Sequence, residues 1–226
     1  MDNLYVQTIR ASISGMLVFL GILFIPAWTF AYWQGWAFFA TFGASATLLT
    51  LYMAVYDKKL LERRLHAGPG AEKTPAQKVI MTFAMAAFVA SVVIPVLDHR
   101  FSWSPAVPSY LSIIGDACVA FSFIMIFLVL RANSYAASTI QVDSEQKVIS
   151  TGPYAVVRHP MYAGALPIFI MTPIALGSWW GLIFVPLFIP VLILRLLDEE
   201  KFLRKNLPGY AEYATKTRWR LIPGIF

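Results

Sequence analysis

Long apolar runs limit what this chain can fold into. Four of them fall at about residues 13–33, 36–56, 79–97 and 110–130, and a fifth, about 163–197, is too long for one crossing. A helix needs about 20 apolar residues to cross the hydrocarbon core, where an unpaired backbone group finds no water. Hydrophobic residues make up 58% of the 226-residue chain and charged residues 13%. Soluble domains average about half and about a quarter. A soluble fold of this size would leave much apolar surface in water, so the pattern predicts an all-α, polytopic membrane bundle. About six spans are expected, the last two as a C-terminal hairpin.

Turn signals divide the runs. Gln34-Gly35 reads as the tight turn between the first two spans, and Gly177-Ser178 as the turn of the hairpin. Pro167, Pro173, Pro186 and Pro190 fall inside its arms, which predicts kinked helices packed against neighbours that satisfy the freed carbonyls. The first run lacks a small-residue cleavage site and outlasts a signal-peptide core, so it reads as a retained span. The expected organisation is a single domain over 1–226, with four spans in 1–130 and the chemistry in 131–226. No inverted repeat of the kind common in transporters is visible.

Net charge is +6, but the positive residues lie in loops. The 57–78 loop carries Lys58, Lys59, Arg63, Arg64, Lys73 and Lys78, and the 98–109 loop only Arg100. The tail carries Lys201, Arg204, Lys205, Lys216, Arg218 and Arg220. Six spans place both rich segments on one side. The positive-inside bias makes that side cytoplasmic, with both termini inside, in what reads as a bacterial-type inner membrane. Trp28, Trp33, Trp36, Trp103, Trp179 and Trp180 fall near span ends, as an aromatic belt does. No nucleic-acid motif is present. Cys118, the single cysteine, permits no disulfide within the chain and no thiol cluster for a metal.

Chemistry concentrates in the polar stretch before the hairpin, read as a cytoplasmic region with a partly extended piece at 141–150. Lys147, Gly152, Tyr154, Arg158, His159, Pro160, Tyr162 and Gly164 lie within 18 positions. Pro160 suits a first helical turn, where a missing N–H costs nothing. The N–H groups after it form an anion site for a carboxylate or phosphate. The plainer reading is a linker with interface tyrosines, and on single residues that reading is the stronger. On the whole string, function is favoured.

Downstream, Arg195 and Glu199 are four apart and share a helix face. Arginine's planar fork suits a carboxylate, although a simple salt bridge explains the spacing as well. Glu62, Arg63, Arg64 and His66 read best as a solvated loop or a contact to anionic headgroups. Asp116 is the one acid well inside a predicted span, near its outer end. Asn133 and Tyr135 stand at the inner end of the same span, where they can face a pocket.

Together, Thr151, Gly152, Pro153, Tyr154, Arg158, His159, Pro160, Met161, Tyr162, Ala163 and Gly164, then a hairpin with Arg195, Glu199 and Glu200, resemble the isoprenylcysteine carboxyl methyltransferase family. The resemblance covers roughly the last hundred residues. It implies transfer of a methyl group from S-adenosyl-L-methionine within the membrane. It also implies cofactor contacts at Gln146, Lys147, Val148, Ile149, Tyr154, His159, Pro160, Met161, Tyr162, Glu199 and Glu200, with Arg195 facing the acceptor and Arg195 and Glu199 carrying catalysis. Gln146 stands where that family often has histidine, and Gln141 is a loose match to a family glutamine. The implied acceptor is a lipid-like carboxylate. Relatives methylate thiols or phospholipid amines, and membrane sterol reductases with a related C-terminal region use NADPH. A non-catalytic lipid-binding or transport protein is the rival from another class.

Overall fold

The computed structural model describes residues 2–226, and every regular element among them is helical. In chain order these are α1 (Asp2–Ala27), α2 (Trp33–Tyr56), α3 (Lys58–Leu65), α4 (Pro75–Phe101), α5 (Ser109–Ala132), α6 (Pro160–Ala175), α7 (Val185–Asn206) and α8 (Tyr210–Lys216), with short 3-10 turns between some of them. Five stretches are long and apolar enough to cross a membrane: Leu4–Ala27, Trp33–Tyr56, Pro75–Phe101, Ser109–Ala132 and Trp180–Asn206. The chain is a polytopic helical membrane bundle. At 16 residues, α6 rises only about 24 Å, less than the roughly 30 Å of the hydrocarbon core.

The first turn is not where the glycine suggested. α1 ends at Ala27, Trp28 takes a left-handed φ of 57°, and Gln34 and Gly35 are already inside α2. Gly35 serves packing instead. A Cβ there would come within 2.6 Å of the Tyr32 ring. That ring is fully buried, stacks on His99 at 4.0 Å, and donates its hydroxyl to the Leu176 carbonyl at 2.6 Å.

The hairpin turn does fall at Gly177-Ser178. Gly177 has a φ of 78°, which favours glycine. Three of the last four carbonyls of α6 are engaged: Leu176 N–H donates to Thr172, Ser178 N–H to Pro173, and Gly177 N–H and Ser112 Oγ to Ile174. Ser178 Oγ donates to the buried Asp98 carboxylate at 2.6 Å. These bonds let a short helix end inside the bundle with most of its terminal carbonyls satisfied.

Small residues decide how the arms of the hairpin sit. A Cβ on Gly115 would lie 2.7 Å from the Ala175 backbone nitrogen, and one on Gly164 would lie 3.3 Å from Met125 Cβ. The two glycines let α5 and α6 approach closely along their length, the usual device for helix packing in lipid. α6 consequently packs far more on α5 than on α7, while α4 packs against α7. The arms splay, and α4, α6 and α7 enclose a space at the end of the bundle that carries α3 and α8. Asp116 is buried on α5, and its Oδ1 has no hydrogen-bond partner.

Candidate active site

Pro160 opens α6 and His159 holds its N-cap position, but the imidazole does not cap the helix. It turns to Glu200, with Nε2 at 3.3 Å from Oε1. Arg158 Nε donates to the same oxygen at 2.6 Å, and its Nη1 donates to the carbonyls of Ala214, Thr217 and Arg218. Arg220 Nε donates to Glu200 Oε2 at 3.2 Å. Arg158, His159 and Glu200 are all buried. This ionic cluster ties the start of α6, the middle of α7 and the tail into one unit, and Arg158 is no exposed loop charge.

Beside it lies a cavity of about 380 Å³, within the range of small-molecule sites. Gln146, Lys147, Val148, Ile149, Tyr154, His159, Pro160, Met161, Tyr162, Arg195 and Glu199 all line it. Glu200, one position on, does not. Gln141, Asn133 and Tyr135 line it as well, and the 133–149 segment closes it on one side. Residues 141–150 form no ladder. They contain a local turn in which Gln146 N–H donates to the Asp143 carbonyl at 3.0 Å.

The wall has two characters. Near the loops it is polar: Asn133 Nδ2 donates to the Tyr154 hydroxyl at 2.9 Å, and burial pushes the Tyr154 phenol up to about 12. Deeper along the helices it is apolar, formed by Met81 and Ala84 of α4, Phe169 of α6, and Phe188, Val191 and Leu192 of α7. The Phe169 and Phe188 rings stack face to face at its floor.

At the junction stands a compact polar group. Arg195 Nε donates to the Tyr162 hydroxyl at 3.1 Å, and that hydroxyl donates to Glu199 Oε2 at 2.5 Å. Arg195 Nη1 donates to Gln77 Oε1 at 2.6 Å and Nη2 to the Ser138 carbonyl at 3.3 Å. Nη2 also lies 2.7 Å from Glu72 Oε1, in ion-pair rather than hydrogen-bond geometry, and both Glu72 oxygens are otherwise unpartnered. Gln77 Nε2 donates to Asp198. Glu72 and Gln77 come from the far side of the sequence, where nothing in their spacing marks them. Tyr210 and Tyr213 of α8 line the cavity too. In the sequence they stand in the tail among Phe202, Leu203 and Leu207, where apolar residues alternate with charges.

Residues 110–208 match the model of the phospholipid methyltransferase family. The matched stretch holds α5, the 133–149 segment, α6 and α7, and so every residue singled out above as a cofactor or acceptor contact. α3, Glu72, Gln77 and α8 lie outside it. A search of curated proteins finds no match.

Proposed function

We propose that the protein is an integral membrane methyltransferase that uses S-adenosyl-L-methionine and acts on a lipid-like acceptor. The observation that carries this reading is the Arg195–Tyr162–Glu199 group, set where a polar chamber meets an apolar arm. One end suits a charged, hydrophilic cofactor and the other a hydrocarbon chain.

The donor set fits that cofactor. Met161 and Tyr162 occupy the first turn of α6, where N–H groups have no carbonyl in the helix to bond and favour an anion. They would take the cofactor's carboxylate. Glu199 would hold a cationic centre, and the backbone of 146–149 with Tyr154 would line the base and sugar. Glu200 acts from behind, fixing His159 and Arg158. When bound, S-adenosyl-L-methionine supplies an electrophilic methyl group on a positively charged sulfur.

The chain's own part is placement and exclusion of water. Arg195 presents its guanidinium to the acceptor headgroup, the apolar arm takes the tail, and Tyr162 fixes Arg195 relative to Glu199. A carboxylate nucleophile needs no general base, only orientation and loss of water. For such an acceptor, its carboxylate would take over part of the Arg195 fork now shared with Glu72. An amine acceptor is the second reading, and it would leave Arg195 paired with Glu72 as it stands.

Titration of the detergent-purified protein with S-adenosylhomocysteine tests the class, with NADPH as control. Saturable binding of S-adenosylhomocysteine alone is expected. Binding of NADPH alone would make the protein a reductase, and binding of neither by folded protein would favour a transport or lipid-binding role. Methyl transfer to a prenylcysteine or to a phospholipid amine then separates the two acceptors.

A further inference from the structure

Arg63 and Arg64 do not belong to a solvated loop: they stand on the helix α3, and Arg64 lines the cavity. Leu60 and Leu61 of α3 are buried against Met53, Ile126 and Leu130, and Asp57 Oδ1 caps the helix at the Leu60 N–H. This fixes α3 to the bundle and aims Arg63 and Arg64 at the segment that closes the cavity.

Their contacts form a connected set. Arg63 Nη1 donates to the Ser134 carbonyl at 2.8 Å and Nη2 to Asp143 Oδ2 at 2.7 Å, while the guanidinium lies 5.0 Å from the Tyr135 ring centre. Arg64 Nη1 donates to the Ala136 carbonyl at 3.1 Å, and Ser138 Oγ donates to the Arg64 carbonyl at 3.3 Å. The Ser138 carbonyl in turn accepts from Arg195. No regular hydrogen-bond ladder holds 133–143 in place. Local turns, such as Ala136 N–H to the Asn133 carbonyl, shape parts of that segment, and its placement against the bundle is left to such outside contacts.

We propose that Arg63 and Arg64 are positioning residues: a clasp on α3 that holds residues 134–143 as the movable wall of the cofactor cavity, opening and closing the cofactor's path. That the cavity takes a cofactor rests on the methyltransferase reading. The clasp itself does not. Its Arg63–Asp143 half is partly exposed, at 19% and 38% of the side chains, so salt weakens it. The Arg64 half engages backbone groups and is less sensitive.

Backbone amide exchange by mass spectrometry, on the full protein in detergent, tests the clasp without any ligand. Arg63→Ala should speed exchange across 134–146 about tenfold and Asp143→Ala about threefold, as expected for a few polar contacts and one exposed pair. Asp143→Glu should restore the wild-type rate. α1, α2 and the unfolding temperature should stay unchanged. In parallel, S-adenosylhomocysteine should dissociate faster from both alanine variants. Added salt should speed dissociation from wild type but not from Asp143→Ala. Unchanged exchange at 134–146 in both variants would overturn the clasp. If Arg63→Ala loosens the whole bundle, Asp143→Ala alone decides. If wild type does not bind S-adenosylhomocysteine, the cofactor reading fails and the exchange data still judge the clasp.

Discussion

Arg195 and Glu199 meet at one hydroxyl. Tyr162 accepts from Arg195 Nε at 3.1 Å and donates to Glu199 Oε2 at 2.5 Å. Two residues one turn apart on α7 are thus locked to the first turn of α6, so the site depends on how the hairpin arms are set.

Removing that hydroxyl should cost function more than stability. Tyr162→Phe leaves the Arg195 Nε–H and one Glu199 oxygen without their shared partner while keeping the ring. Losing these two charge-assisted bonds, at least about 1.5 kcal/mol together, predicts a drop in turnover of roughly tenfold or more. Arg195→Ala should abolish turnover yet retain S-adenosylhomocysteine binding, whereas Glu199→Ala should weaken that binding itself. Calorimetric titration beside a methyl-transfer assay separates them. If all three variants bind and methylate like wild type, the assignment of the site is wrong.

Glu200 predicts the opposite balance. Glu200→Ala strands Arg158, His159 and Arg220, two of them buried. Breaking one side of a buried ionic cluster costs about 3–5 kcal/mol. The expected result in a thermal melt is a large fall in unfolding temperature, with Glu200→Gln intermediate. A melt equal to wild type would mean that the cluster does not hold the tail.

The α5–α6 contact gives a graded pair. At Gly115 a methyl group would meet backbone at 2.7 Å, and at Gly164 it would meet a side chain at 3.3 Å. Gly115→Ala should therefore destabilise more than Gly164→Ala, by about 1–3 kcal/mol, the usual range for overpacking. Equal losses would argue against the close approach of α5 and α6 at Gly115.

Tyr154 makes a pH prediction. Burial raises its phenol from 10 to about 12, so the folded state holds the proton more tightly than the unfolded chain. The stabilisation is complete below about pH 10 and is lost as pH rises toward 12. Unfolding temperature should be insensitive to this group up to pH 10 and fall above it, with a shallower fall in Tyr154→Phe. A fall of the same steepness in that variant would assign the alkaline loss to other groups.

Much of this was legible in the sequence, because a membrane span and a turn are local facts. Run length and composition gave the helices, and Gly177 marked the hairpin because one residue's φ decides it. The 3.6-residue period put Arg195 and Glu199 on one face. Members of the polar string 146–162 line one cavity because they are neighbours in sequence and so remain close in space.

What the tertiary structure decided were the contacts between segments that no local pattern links. Adjacent residues on a helix point about 100° apart, so Glu199 faces the cavity and Glu200 the ionic cluster, and only the neighbouring elements show which is which. Gly35 signalled a turn but serves the Tyr32 ring. Arg63 and Arg64 of α3 reach the 134–143 wall of the cavity, and Glu72, just before α4, and Gln77 on α4 reach Arg195 of α7, across more than 100 positions for the Gln77–Arg195 bond. Sequence spacing carries the chemistry of a single helix face. The rest of the site comes from how the faces of separate helices meet.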